Sequence, residues 1–196
     1  MSRFSKTALI AGAIALCASP AFAHPGHEFG HTALQGFLHP LGGIDHVIAM
    51  IAVGFLALCR GGRAIWTVPL AFVLMMAVGA VLGATGLGLP GVEQGIAASV
   101  LVLGMLIVVA TRLSLIFATV LVGAFAVFHG TTHGLEGATT GIVPSSYFLG
   151  FLLATVMLHC AGIALGAAFA AIENRNLVRR AAGTAVGLTG LMMIVG

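Results

Sequence analysis

His39-Pro40-Leu41-Gly42-Gly43-Ile44-Asp45-His46 opens an apolar run that continues to Leu58, and its reading decides the fold class. A carboxylate and two imidazoles inside such a run are costly, since Asp near a bilayer centre costs roughly 2.5 to 3.5 kcal/mol on insertion scales. The usual compensation is a partner, an ion or a water-filled path. A second stretch repeats the problem further along: Phe128-His129-Gly130-Thr131-Thr132-His133-Gly134-Leu135-Glu136. Imidazole and carboxylate gathered from separate segments form a divalent-metal ligand set.

The surroundings of both stretches are those of a membrane protein. The 196 residues are 60% hydrophobic and 7% charged, with a mean hydropathy of +1.16, whereas a soluble domain carries about 25% charged residues. The 28 glycines suit closely packed transmembrane helices. A spanning helix needs roughly 20 mainly apolar residues, and the chain offers six such runs, at 37–58, 64–85, 92–110, 113–133, 145–171 and 177–195. The expected fold is therefore all-α, a polytopic membrane protein with six transmembrane helices after a cleaved signal peptide.

The signal is read from Arg3 and Lys6 before the apolar stretch from Ala8 to Ala18, followed by Ala21-Phe22-Ala23, a small-x-small cleavage site. An uncleaved first helix is the alternative, but the run is short and ends at Ser19-Pro20. The division is thus 1–23 as signal peptide, 24–36 as a histidine-rich outer segment and 37–196 as the six-helix transmembrane domain. Cys17 leaves with the signal, and Cys59 and Cys160 form no visible disulfide framework. Lys6 is the only lysine, so a mature chain holds no Walker-A loop and any ATP-driven step needs another subunit. Nothing in the chain points to nucleic acid; its surroundings are lipid.

Charge placement orients the spans, because cytoplasmic loops retain Lys and Arg. Arg60 and Arg63 follow the first span, Arg112 the third, and Arg175, Arg179 and Arg180 lie at the fifth-to-sixth junction. Those loops are cytoplasmic if the mature N-terminus is outside. The opposite loops carry Glu28, Glu93 and Glu136 without a basic residue. A bacterial inner-membrane protein with both mature termini on the periplasmic side is expected, its two three-span halves having opposite orientations.

This topology puts His39, Asp45, His46, Glu93, His129, His133 and Glu136 in the outer half of the membrane or just above it. His129 and His133 are neighbours about 6 Å apart on one helix face, and Glu136 continues their stripe if the helix extends that far. An ideal helix separates His39 from His46 by about 10 Å, too far to share an ion. A break at Gly42-Gly43 would change that; without one, Asp45 and His46 serve a deeper ion and His39 an outer position. Gly130 and Gly134 form a small-x-x-x-small track for a close helix neighbour. Glu93 either helps to attract the ion or favours the positive end of its helix. His159 reads as a hydrogen bonder between helices, and Met50 as a core residue able to lend a thioether. His24, His27 and His31 form either a metal-capturing tail or a solvated polar one.

At these residues the sequence resembles the HupE/UreJ family of nickel permeases. The likeness spans the chain: a signal with a histidine just after it, six spans, H-P-x-x-G-x-D-H in the first and F-H-G-x-x-H-G-x-E closing the fourth. It implies secondary transport of Ni²⁺, with Co²⁺ as the alternative, to supply a metalloenzyme such as urease or hydrogenase. It carries metal-handling roles to His39, Asp45, His46, His129, His133 and Glu136. No prosthetic group is expected; the metal is cargo, and the chain is not read as an enzyme. The rivals are a membrane-embedded metal-dependent enzyme, for which the chain offers no H-E-x-x-H or G-x-S-x-G, and a metal sensor or partner subunit, against which the short loops argue.

Overall fold

The computed structural model describes residues 32–110, 113–139, 145–171 and 174–196. The signal segment, the tail histidines His24, His27 and His31, and Glu28, Arg112 and Glu173 lie outside the described residues. Within them every regular element is helical: α1 (Ala33–Gly42), α2 (Ile44–Arg60), α3 (Ala64–Ala84), α4 (Val92–Val109), α5 (Leu115–Thr139), α6 (Ser145–Ala170) and α7 (Arg175–Val195). The last five are each long and apolar enough to cross a membrane.

The first apolar run departs from a single helix over 37–58. It divides into α1 and α2, which meet at 90°. Thr32 starts α1 through a reciprocal cap: its hydroxyl accepts from Gln35 N at 3.3 Å, and Gln35 Oε1 accepts from Thr32 N at 2.9 Å. Helix α1 ends at Gly42, because Gly43 takes an extended conformation (φ −99°, ψ 117°) and becomes the N-cap of α2. At the far end of α2, Gly61 and Gly62 adopt φ of 72° and 57°, left-handed values that favour glycine and turn the chain tightly into α3. Helix α5 is longer than 113–133 predicts, because Gly134 to Thr139 continue it past His133.

The main helix pairings are α3 with α5, α4 with α7, and α2 and α1 with α6. Each uses glycine on the contact. A Cβ at Gly130 or Gly134 of α5 would strike the α3 backbone at Met76 and Ala80, and one at Gly79 or Gly83 of α3 would strike Val127 or Thr131. Gly54 and Gly162 seat α2 on α6 in the same way, and Gly104 receives Gly183 and Gly187 of α7. Small residues let backbones approach where lipid supplies no hydrophobic drive between helices.

Buried Met50, Val53, Leu56, Phe72, Met76, Leu103, Ile107 and Phe151 fill the centre, while Trp66, Leu74, Met105, Val120, Leu153 and Met192 face outward. An apolar exterior over an apolar core suits a lipid environment. Arg60 and Arg63 flank the α2–α3 turn, at the end of the bundle opposite Asp45. Arg179 anchors α7 there too, donating to the terminal α4 carbonyls of Ile107 (2.7 Å) and Val108. Basic residues at one end and the carboxylate-bearing histidine cluster at the other match the sequence-based segregation of charge.

Candidate metal centre

The 90° corner at Gly43 brings both sequence motifs to one place. His39 at the end of α1 holds Glu136 of α5 through Nε2 and Oε2 at 2.7 Å. The same carboxylate oxygen lies 3.5 Å from His133 Nδ1. His39, His133 and Glu136 thereby offer three ligand atoms within 4.8 Å of one another. Glu136 reaches this position because α5 continues as one helix beyond His133, keeping 129, 133 and 136 on one stripe.

On the other side of His133 lies His46, with ring centroids 4.5 Å apart, and His46 also packs against His129 at 4.8 Å. Asp45 folds back so that Oδ1 is 3.2 Å from His46 Nδ1. Glycine at 43 permits this, since a Cβ there would lie 2.7 Å from Asp45 Oδ1 and 3.3 Å from His46 Nδ1. Asp45 occupies the first turn of α2, where the helix dipole favours negative charge. Four imidazoles and two carboxylates from three helices thus form one continuous cluster.

Its electrostatics are graded. Asp45 and Glu136 keep 28% and 31% of their side-chain surface open, while His46, His129 and His133 are buried. A cation approaching from the open side meets Asp45, Glu136 and the equally exposed His39 before it meets the buried nitrogens of His46, His129 and His133. His46 Nε2, His129 Nδ1 and His133 Nε2 are buried without a hydrogen-bond partner among the described residues. Buried polar atoms are normally paired, so unpaired nitrogens concentrated in one cluster are the feature of a ligand site.

Ser99 of α4 prepares one of these nitrogens. Its hydroxyl donates to Ile96 O at 2.6 Å, so its oxygen can only accept from His129 Nε2 at 2.8 Å. His129 therefore carries its proton on Nε2 and presents the Nδ1 lone pair. Holding a ligating histidine by its other nitrogen is the usual outer-shell device of metal sites. Sequence reasoning missed Ser99, as it missed Tyr147, whose ring is 5.9 Å from His39, and Phe151, 4.3 Å from His133.

Other expectations fare differently. Glu93 is exposed in the first turn of α4 and is not among the clustered ligand atoms; it sits where the helix dipole favours an acid. The hydrogen bond expected of His159 is not made, because both its ring nitrogens lack a partner among the described residues. Met50 is fully buried in the core. Thr131 and Thr132 turn their hydroxyls to α5's own carbonyls at Val127 and Phe128.

Comparison with known proteins gives a consistent answer. A family model described as HupE / UreJ protein matches residues 12–193. Protein HupE of Rhizobium leguminosarum bv. viciae is 44% identical over 194 residues, covering 99% of this chain and 100% of that protein. No solved structure matches.

Proposed function

The chain belongs to the HupE/UreJ family, and from that premise we propose that it is a permease admitting a divalent transition-metal ion, Ni²⁺ foremost with Co²⁺ as the alternative. The observation that carries this reading is the cluster of His39, His46, His129 and His133 with Asp45 and Glu136 at one end of an apolar bundle. Asp45 and Glu136 supply charge at the open side, and His46, His129 and His133 supply borderline nitrogen ligands suited to Ni²⁺ or Co²⁺. His39 links the two carboxylate-bearing motifs.

In this reading the signal segment 1–23 is removed, α1 and α2 together make one of six spans, and both mature termini lie on the periplasmic side of the inner membrane. The arginine-rich end faces the cytoplasm. An inside-negative potential, worth about 2.3 kcal/mol per charge per 100 mV, then drives a divalent cation inward without ATP. The imported ion would supply a metalloenzyme such as urease or hydrogenase.

Uptake of radiolabelled Ni²⁺ into proteoliposomes containing only this protein tests the proposal. Saturable uptake, accelerated by an inside-negative potential and competed by Co²⁺, is the expected result. Vesicles that bind Ni²⁺ without accumulating it would favour a sensor instead. A reporter active only in the cytoplasm, fused after Gly196, should be silent.

A further inference from the structure

His159 is 2% exposed in the middle of α6, and neither of its ring nitrogens has a hydrogen-bond partner among the described residues. It lies outside the cluster of the two motifs, yet one ring joins them. Phe72 of α3 packs 5.7 Å from His129 on one side and 5.2 Å from His159 on the other, centroid to centroid.

One face of α6 makes the same connection. Tyr147, Phe151, Thr155 and His159 recur every four residues and so share a stripe. Tyr147 stands beside His39 and Phe151 beside His133; Thr155 directs its hydroxyl to Phe151 O at 3.0 Å, with Met76 Sδ 3.8 Å away. From Phe151 to His159 the helix advances about 12 Å toward the arginine-bearing end. The stripe therefore begins at the outer cluster and ends on an unpaired imidazole deeper in the bundle.

We infer that His159 is a second, inner station for the transported divalent cation, with Phe72 as the apolar partition between it and the outer cluster; this rests on the transport reading above. The station has one imidazole, with the Thr155 oxygen and the Met76 thioether one turn outward as weak donors. A site poor in donors and fixed charge suits an ion in passage, because conduction needs binding weak enough for release. The outer cluster, with its carboxylates, captures the ion; the inner imidazole receives it once the Phe72 ring swings aside.

The test compares His159→Leu, His159→Cys and Asp45→Asn with the wild type, by Ni²⁺ uptake into proteoliposomes and by equilibrium Ni²⁺ binding to the detergent-purified full chain. His159→Leu should lower maximal uptake at least about tenfold, the loss that even an outer-shell partner of a metal ligand causes, while capture by the outer cluster and the half-saturating Ni²⁺ concentration are retained. His159→Cys replaces nitrogen by sulfur and should make uptake newly sensitive to block by Cd²⁺, a thiophilic ion; wild type carries Cys59 and Cys160 and sets the baseline. Wild-type uptake by His159→Leu, or loss of outer-site capture together with uptake, would overturn the inference by making His159 a packing residue. Unchanged Cd²⁺ sensitivity in His159→Cys would overturn it as well, and this arm decides if the leucine variant does not fold. Asp45→Asn keeps the two readings separable: unaltered uptake there sinks the outer-site transport reading, whatever His159 does.

Discussion

His129, His133 and Glu136 reach the site on one unbroken helix, whereas His39, Asp45 and His46 arrive from two helices that meet at 90°. The spacings explain the contrast. Steps of four and three keep side chains on one helix face, so the α5 motif needs no deformation. A step of seven displaces His39 from His46 by about 10 Å along a straight helix, and only a corner brings both rings to His133. The α5 stripe is fixed by glycine contacts that press it onto α3, and the α1–α2 corner by a glycine that leaves room for Asp45 and His46. The two motifs thus contribute similar donors from differently supported backbones, and substitutions can ask which support matters more.

The largest effect is expected at Asp45. Asp45→Asn keeps size and hydrogen bonding but removes a charge whose attraction for a cation at 4 Å is worth about 4 kcal/mol per unit charge at an effective dielectric near 20. At 1.4 kcal/mol per tenfold, uptake at low Ni²⁺ should fall by about several hundredfold, with expression and membrane insertion unchanged. Glu136→Gln sharpens the comparison: its Oε2 already accepts from His39, so an equal loss would make the two motifs equivalent, and a smaller one would assign the dominant charge to the corner.

Next comes the support of the straight motif. Ser99→Ala removes the hydroxyl that holds the His129 Nε2 proton, so the ring is free to rotate and to change tautomer. Loss of such an outer-shell partner typically costs roughly 10–100-fold in metal affinity. Equilibrium Ni²⁺ binding should weaken by about the lower end of that range. Unchanged affinity would show that burial alone orients His129.

The support of the corner should matter less. In Gly43→Ala the new Cβ meets side chains rather than backbone, the end of Asp45 at 2.7 Å and, less tightly, His46 Nδ1 at 3.3 Å, and the observed φ of −99° is open to alanine. Asp45 can therefore shift at modest cost, about 1 kcal/mol for an off-rotamer side chain, which converts to a roughly fivefold rise in half-saturating Ni²⁺. A complete loss of uptake would mean that the corner, not α5, sets the geometry of the site.

Much of this arrangement was legible in the residues. Five of the six apolar runs anticipate single long helices, because lipid demands long apolar segments with internally satisfied backbones, while the first is divided into α1 and α2. The His129–His133–Glu136 stripe follows from helical periodicity, and Gly130 and Gly134 from the need for close packing. The Thr32-x-x-Gln35 cap was readable too, and would have placed the start of α1 before residue 37. The 90° angle was not readable, since Gly42-Gly43 permits a break without fixing its direction. Nor was Ser99: a serine in an apolar helix acquires its role only when α5 places His129 against it. The His159 ring illustrates the converse, a polar residue whose expected partner tertiary packing does not supply.

The smallest effect concerns residues 24–31, which precede α1 in the sequence and so lead into the corner motif. His24, His27 and His31 concentrate imidazoles in a short stretch of sequence, and tethering a weak site near a tighter one raises the effective local concentration of the ion without adding a ligand to the path. Removing residues 24–31 behind an intact signal should therefore lower uptake at limiting Ni²⁺ while leaving the maximal rate unchanged. Radiolabelled Ni²⁺ uptake measured below and above half-saturation separates the two regimes. An equal loss at saturating Ni²⁺ would make the segment part of the path or of the support for α1; the corner motif would then begin upstream of Thr32, and its contrast with the self-contained α5 stripe would be sharper still.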